Sequence, residues 1–343
     1  MPVTIREAGS TDLPLLVVEV GAAEVRVVEV GATGGGPTPI GPITAVFAPS
    51  RGGRLLALRA GAEELLWQNP RLVGPDGSAV LPVDRWPLGD GGMGTWANVG
   101  GSKTWPAPQG WSGPDEWAGP PDQVLDSGAW TARITGGTLV LTSPDDPRSG
   151  LRITRTFAFA DPAPSTPVVF TERIAFANVV DRPVRWSSWE VCQVDTAPGG
   201  TVSIDGARLG DLLDLGVYEG DALATETTAG VELATGRGVT KHGSTGGSGG
   251  VSYRRPSGLG LRLRASAEEG AVYPDGGCRT EVWLQRPTAE PIASLGDLHP
   301  DAHVAELEVL GPLRTLAPGA TSELLVTWTI DRIDGAGAVS PLR

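Results

Sequence analysis

The strongest constraint on this chain is a period of two. In Leu151–Phe159, residues Leu151, Ile153, Phe157 and Phe159 fall on one face, with Arg155 the one charged residue among them. Val168, Phe170, Ile174 and Phe176 repeat the pattern, as do Leu324, Val326, Trp328 and Ile330. Successive strand side chains point to opposite sides, so these runs read as half-buried strands. Turn signals separate the runs: Asn69-Pro70, Pro75-Asp76-Gly77, Pro144-Asp145 and Pro274-Asp275-Gly276. Leu15–Val20 and Val25–Val30, followed by Gly21 and Gly31, are expected to pair as a hairpin. No long stretch sustains apolar spacing of three and four, and 49 Gly and 30 Pro would interrupt most long helices. The expected class is all-β, an antiparallel sandwich or barrel with few or no helices.

The 343 residues, 40% of them hydrophobic, suffice for one large domain spanning the chain, with the N-terminal hairpin (13–31) packed on it. Gly89–Pro121 and Gly236–Gly250 look irregular, and the second is expected to be a mobile loop. Strand patterns continue on both sides of each, so neither reads as a linker. A net charge of −13 repels phosphate backbones and anionic lipid surfaces, so no nucleic acid or membrane partner is expected. Met1–Asp12 has no apolar run or small-residue cleavage site and Leu13–Val20 is short and acidic, so no signal peptide is expected, and no run approaches the roughly 20 apolar residues of a membrane helix. A cytoplasmic location is expected. Cys192 and Cys278 are too few for a disulfide scaffold and are expected as reduced, mostly buried thiols in strand-like segments. With two Cys and three His, no metal or other cofactor is expected. Oligomeric state is left open.

The tryptophans point to a ligand site. Of 11 in the chain, Trp86, Trp96, Trp105, Trp111, Trp117 and Trp130 fall in one Gly- and Pro-rich stretch. That concentration in irregular sequence is not core patterning. Indole faces suit stacking on sugar C–H faces, and the indole N–H adds a polar handle. Lys103, Asn98 and Gln109 would supply directional contacts to hydroxyls. The bland alternative is that these rings cap an open end of a sandwich.

The run Asn98-Val99-Gly100-Gly101-Ser102-Lys103-Thr104-Trp105-Pro106-Ala107-Pro108-Gln109 resembles the signature of the DUF4380 proteins, a bacterial group in the galactose-mutarotase-like superfamily. Leu66–Pro70, Trp186–Gln193, Gly276–Trp283, Glu306–Leu313 and Leu316–Gly319 agree in the same order, so the resemblance covers roughly residues 40 to 332. It implies a large antiparallel β-supersandwich whose concave face binds carbohydrate. It also implies a base: mutarotases use a Glu near the C-terminal end on the anomeric hydroxyl, and a His to protonate the ring oxygen. Glu306 and Glu308, two apart in a strand, share one face, with Leu307 and Val309 on the other. Glu308 is the preferred base, with Glu306 beside it. The His has no match, since Trp186-Ser187-Ser188-Trp189 stands where it is expected. Lys103 is the candidate to replace it as acid or electrostatic stabiliser. His299 and His303, just before the Glu pair, are lesser candidates, and His242 lies in the Gly-rich stretch. Trp96, Asn98, Trp105, Gln109, Trp111, Trp186, Trp189 and Gln193 are the candidate ligand-binding residues.

Other motifs carry little. Gly100–Thr104 lacks the Gly before Lys and the following helix of a phosphate loop. Gly89–Gly94 neither follows a clear strand nor opens a helix, and the Gly-x-Ser-x-Gly match at 246–250 is no nucleophile elbow. The expected function is a carbohydrate-active isomerase or epimerase working through a Glu acid/base in a Trp-lined cleft. The alternatives are a non-catalytic carbohydrate-binding protein, or the same fold turned to cyclising or isomerising a specialised metabolite. In every case the expected partner is a small sugar or sugar-like molecule.

Overall fold

A computed structural model describes residues 3–10, 13–20, 40–75, 77–86, 93–110, 115–159, 167–196 and 198–332. The alternating runs form two large antiparallel sheets. In the first, the central order is Ile43–Ala48, Arg54–Ala60, Ser102–Ala107, Val184–Asp195, Val304–Leu310, Thr280–Gln285, Val239–Ser244 and Leu212–Glu219. In the second, Thr321–Arg332 lies between Leu259–Ala265 and Val168–Asn178, and Leu151–Phe159 follows. Helical structure among the described residues is four three-residue turns. None of it is long and apolar enough to cross a membrane.

The faces follow the alternation. Phe157, Phe170, Ile174, Val326 and Ile330 of the second sheet join Cys192, Val194, Val282, Leu307 and Val309 of the first in one buried cluster. Arg155 faces into this layer and is fully buried. It donates to Glu172 (2.6 Å) on its own sheet and to Glu190 (2.9 Å), the Gly53 carbonyl (3.0 Å) and the Ser102 carbonyl (3.1 Å) from the other. Glu190 also accepts from Ser102 Oγ and, at 2.5 Å, Thr104 Oγ1. A buried charge is tolerable only when its partners are this complete.

Three expectations change. Pro14–Val20 pairs with Thr4–Gly9 on one edge and Ile43–Ala48 on the other, so both edges of the first hairpin run are taken. Its expected partner, Val25–Val30, lies outside the described residues. Within Gly236–Gly250, Val239–Ser244 is a strand paired on both sides. Glycine there serves close packing rather than mobility: a Cβ on Gly243 would stand 2.2 Å from Cys278 Sγ. Cys192 and Cys278 are free and buried, but Cys278 precedes its strand rather than lying in it.

Gly100 and Gly101 deliver the strand Ser102–Ala107 to the sheet centre. Gly101 has φ of +73°, and a Cβ there would meet the Leu55 carbonyl oxygen at 2.4 Å. Gly101→Ala therefore combines left-handed strain with a backbone clash, and is expected to cost at least about 1–3 kcal/mol in urea unfolding. An alanine variant as stable as the parent would contradict this.

Candidate functional site

Register assembles the site. Across five adjacent strands, Lys103 pairs with Val191, Val191 with Glu308, Glu308 with Glu281, and Glu281 with Gly243. One pleat along, Gln193 pairs with Glu306, Glu306 with Trp283, and Trp283 with Lys241. Trp105 and Trp189 pair two residues to the other side. Side chains two apart share a face, so two lysines, three glutamates and three indoles project together, away from the core face of Cys192, Val282 and Leu307.

Above them lies a cavity of about 670 Å³. Trp96, Trp105, Trp189 and Trp283 wall it, and Glu306, Lys241, Glu281 and Gln193 line its polar side. The Glu306 side chain is 14% exposed and accepts from Gln193 Nε2 at 2.6 Å and Lys103 Nζ at 3.4 Å. Lys103 is completely buried behind the lining, with Nζ 4.9 Å from the centre of the Trp105 ring and 5.5 Å from that of Trp96. Glu308 is equally buried and accepts from Trp189 Nε1 (2.7 Å) and Lys241 Nζ (3.2 Å). Lys241 also pairs with Glu281 at 2.8 Å and lies 4.4 Å from the Trp189 ring centre. Among the polar atoms of lining residues, Trp105 Nε1, Gln193 Oε1, Asn98 Oδ1 and Glu281 Oε1 are buried without a hydrogen-bond partner. Such atoms in a cavity wall suit the hydroxyls of a ligand.

Burial and neighbouring charge shift several groups. Burial pushes the Glu308 carboxyl up to about 8, with Lys241 opposing and Glu281 and Glu306 adding. Burial lowers Lys103 to about 8, against the pull of Glu306. Lys241 keeps its proton above the ordinary lysine range, because Glu281 and Glu308 outweigh its desolvation. Asp275, also in the lining, is raised to about 7 by burial and then by Glu281. Glu308 and Asp275 hold protons when folded that the unfolded chain releases near pH 4, so stability falls as pH rises from about 4 toward 8. A thermal midpoint higher at pH 5 than at pH 8 is expected, and the reverse order would contradict it.

No family model and no curated protein matches this chain. Among solved structures it is similar to a putative mutarotase from Salmonella typhimurium, with a TM-score of 0.52, 14% identity and 97% of each chain covered. A galactose mutarotase-like protein from Clostridium acetobutylicum gives a TM-score of 0.52 at 9% identity, covering 96% of this chain and 99% of that one. The fold is galactose mutarotase-like. A TPR-domain containing protein from Parabacteroides distasonis also matches, with a TM-score of 0.52 and 14% identity, and this chain spans 56% of that chain. Identity this low speaks to fold and not to chemistry.

Within this galactose mutarotase-like fold, the sequence candidates divide. Trp96, Asn98, Trp105, Gln109, Trp189, Gln193 and Glu306 line the cavity. Lys103 and Glu308 lie directly behind it. Trp186 does not belong: three residues from Trp189, it takes the opposite face, is buried in the core, and donates to the Ser149 carbonyl at 2.8 Å. Trp111 lies outside the described residues. His299 reaches the lining, its Nε2 3.0 Å from the Thr288 carbonyl. His242 neighbours Lys241 on the strand but points to the other side of the pleat. Lys241, Glu281 and Asp275 were absent from the sequence candidates. The alternation Glu281-Val282-Trp283 was the available signal for one of them.

Proposed function

We propose that this chain binds a sugar or sugar-like polyol in the Trp-walled cavity and interconverts its anomers. The observation that carries the reading is a partly exposed carboxylate, Glu306, facing a cavity lined by five indoles, Trp67 with Trp96, Trp105, Trp189 and Trp283. Ring opening needs a base on the anomeric hydroxyl and stabilisation of the charge that grows on the ring oxygen. Glu306 is the group positioned for the first role. Lys241, held protonated by Glu281 at 2.8 Å, is suited to the second as a fixed positive charge. Lys103 and Glu308 act from behind the lining, orienting Glu306 and Lys241. This exchanges the order favoured by the sequence, which preferred Glu308, because Trp189 and Lys241 cover Glu308. The Asn98–Gln109 motif supports grouping the chain with the DUF4380 proteins.

A purely binding role is the second reading. Lys103 and Glu308, two groups pushed toward neutrality, do not reach the lining, and that favours recognition without proton transfer. Exchange NMR on a panel of free aldoses separates the two. Anomeric exchange faster than in buffer supports the isomerase. Saturation transfer without faster exchange supports the binding protein, and neither signal would overturn both.

A further inference from the structure

Among the described residues, every Lys and Arg at the cavity already has a carboxylate. Lys241 Nζ lies 2.8 Å from Glu281 and 3.2 Å from Glu308. Arg71, at the rim, lies 2.9 Å from Asp301, and Lys103, behind the wall, lies 3.4 Å from Glu306. Asp275 adds a carboxyl that forms no ion pair among the described residues and hydrogen-bonds to Glu281. An incoming carboxylate or phosphate would thus meet no free cation and would have to break an existing pair. An incoming ammonium meets the opposite situation. Glu281 lines the cavity, is 1% exposed, and keeps Oε1 without a hydrogen-bond partner although Oε2 binds Lys241. The indole walls are receptive as well, since Lys241 and Lys103 already lie over the Trp189 and Trp105 rings.

We infer that the cavity selects an amine-bearing polyhydroxylated ligand over its carboxylate- or phosphate-bearing counterpart, with Glu281 as the anchoring carboxylate. The inference rests on the sugar reading above and names the ligand class within it. A charge-assisted bond in a walled site is stronger than a neutral one, whereas burying an unpaired anion beside carboxylates is penalised.

The test is calorimetry at neutral pH with galactosamine, galactose, galacturonate, galactose phosphate and, as a non-sugar amine, putrescine. Galactosamine is expected to bind at least about tenfold more tightly than galacturonate, with galactose between them. Glu281→Gln should collapse that ratio. Asp275→Asn, which removes no ion pair and changes only the group beside Glu281, should narrow the ratio in the same direction if Glu281→Gln does not fold. Galacturonate or the phosphate binding as tightly as galactosamine would overturn the charge selection and leave the sugar reading intact. Putrescine binding with no sugar binding would overturn the sugar reading and leave the charge selection standing. No binding by any of the five would overturn both.

Discussion

Glu306→Gln is expected to reduce anomeric exchange by about 100- to 10,000-fold, the usual contribution of a positioned acid or base. The substitution keeps the side chain's length and can still accept from Gln193, whose Nε2 lies 2.6 Å away. It removes the charge that Lys103 faces at 3.4 Å and the basicity the reaction needs. Folding should survive, because Glu306 is the least enclosed of the three glutamates. Lys103, left without its carboxylate, should give up its proton more readily, so the thermal midpoint is expected to fall modestly while sugar binding persists. Glu308→Gln is the control. It sits behind the lining, so its loss should disturb Trp189 and Lys241 and lower the rate less. A Glu306→Gln protein at full rate, beside a Glu308→Gln protein without activity, would make Glu308 the base.

Arg155→Met should be the most destabilising single change in the molecule. Glu172 and Glu190 are fully buried, and Arg155 joins them across the two sheets. Removing one partner of such a group typically costs about 3–5 kcal/mol, because the remaining charge stays buried and uncompensated. In a chain of this size that is a fall in thermal midpoint of about 4–7 °C. Replacing Glu172 and Glu190 by Gln in the same protein should recover much of the loss. An Arg155→Met midpoint within about 2 °C of the parent would show that the network contributes little.

The pattern of two made the sheets legible, since burial of one strand face leaves a signature in sequence. It also exposed Arg155 as the charge on an apolar face, though not its partners, which come from strands 17 and 35 residues away. The Glu306–Glu308 pair was visible for the same reason. Their different enclosure was not, because it depends on Trp189 and Lys241 arriving from neighbouring strands. Lys241 was hidden by composition. Glycines around it read as a loop, whereas pairing on both edges makes the segment a strand and Gly243 makes room for Cys278. Trp186 was drawn into the site by its neighbourhood, although its odd spacing from Trp189 already places it on the other face.

Indole-labelled NMR during titration with galactose and galactosamine decides whether the Trp-walled cavity is the ligand site. Trp105 Nε1 is buried without a partner, while Trp186 and Trp328 donate to Ser149 and Glu172 inside the core. The Trp105 indole signal is expected to move strongly, with those of Trp96, Trp189 and Trp283, while Trp186 and Trp328 stay fixed. Saturating ligand that leaves the Trp105 signal in place, or that moves only Trp186 and Trp328, would contradict the account.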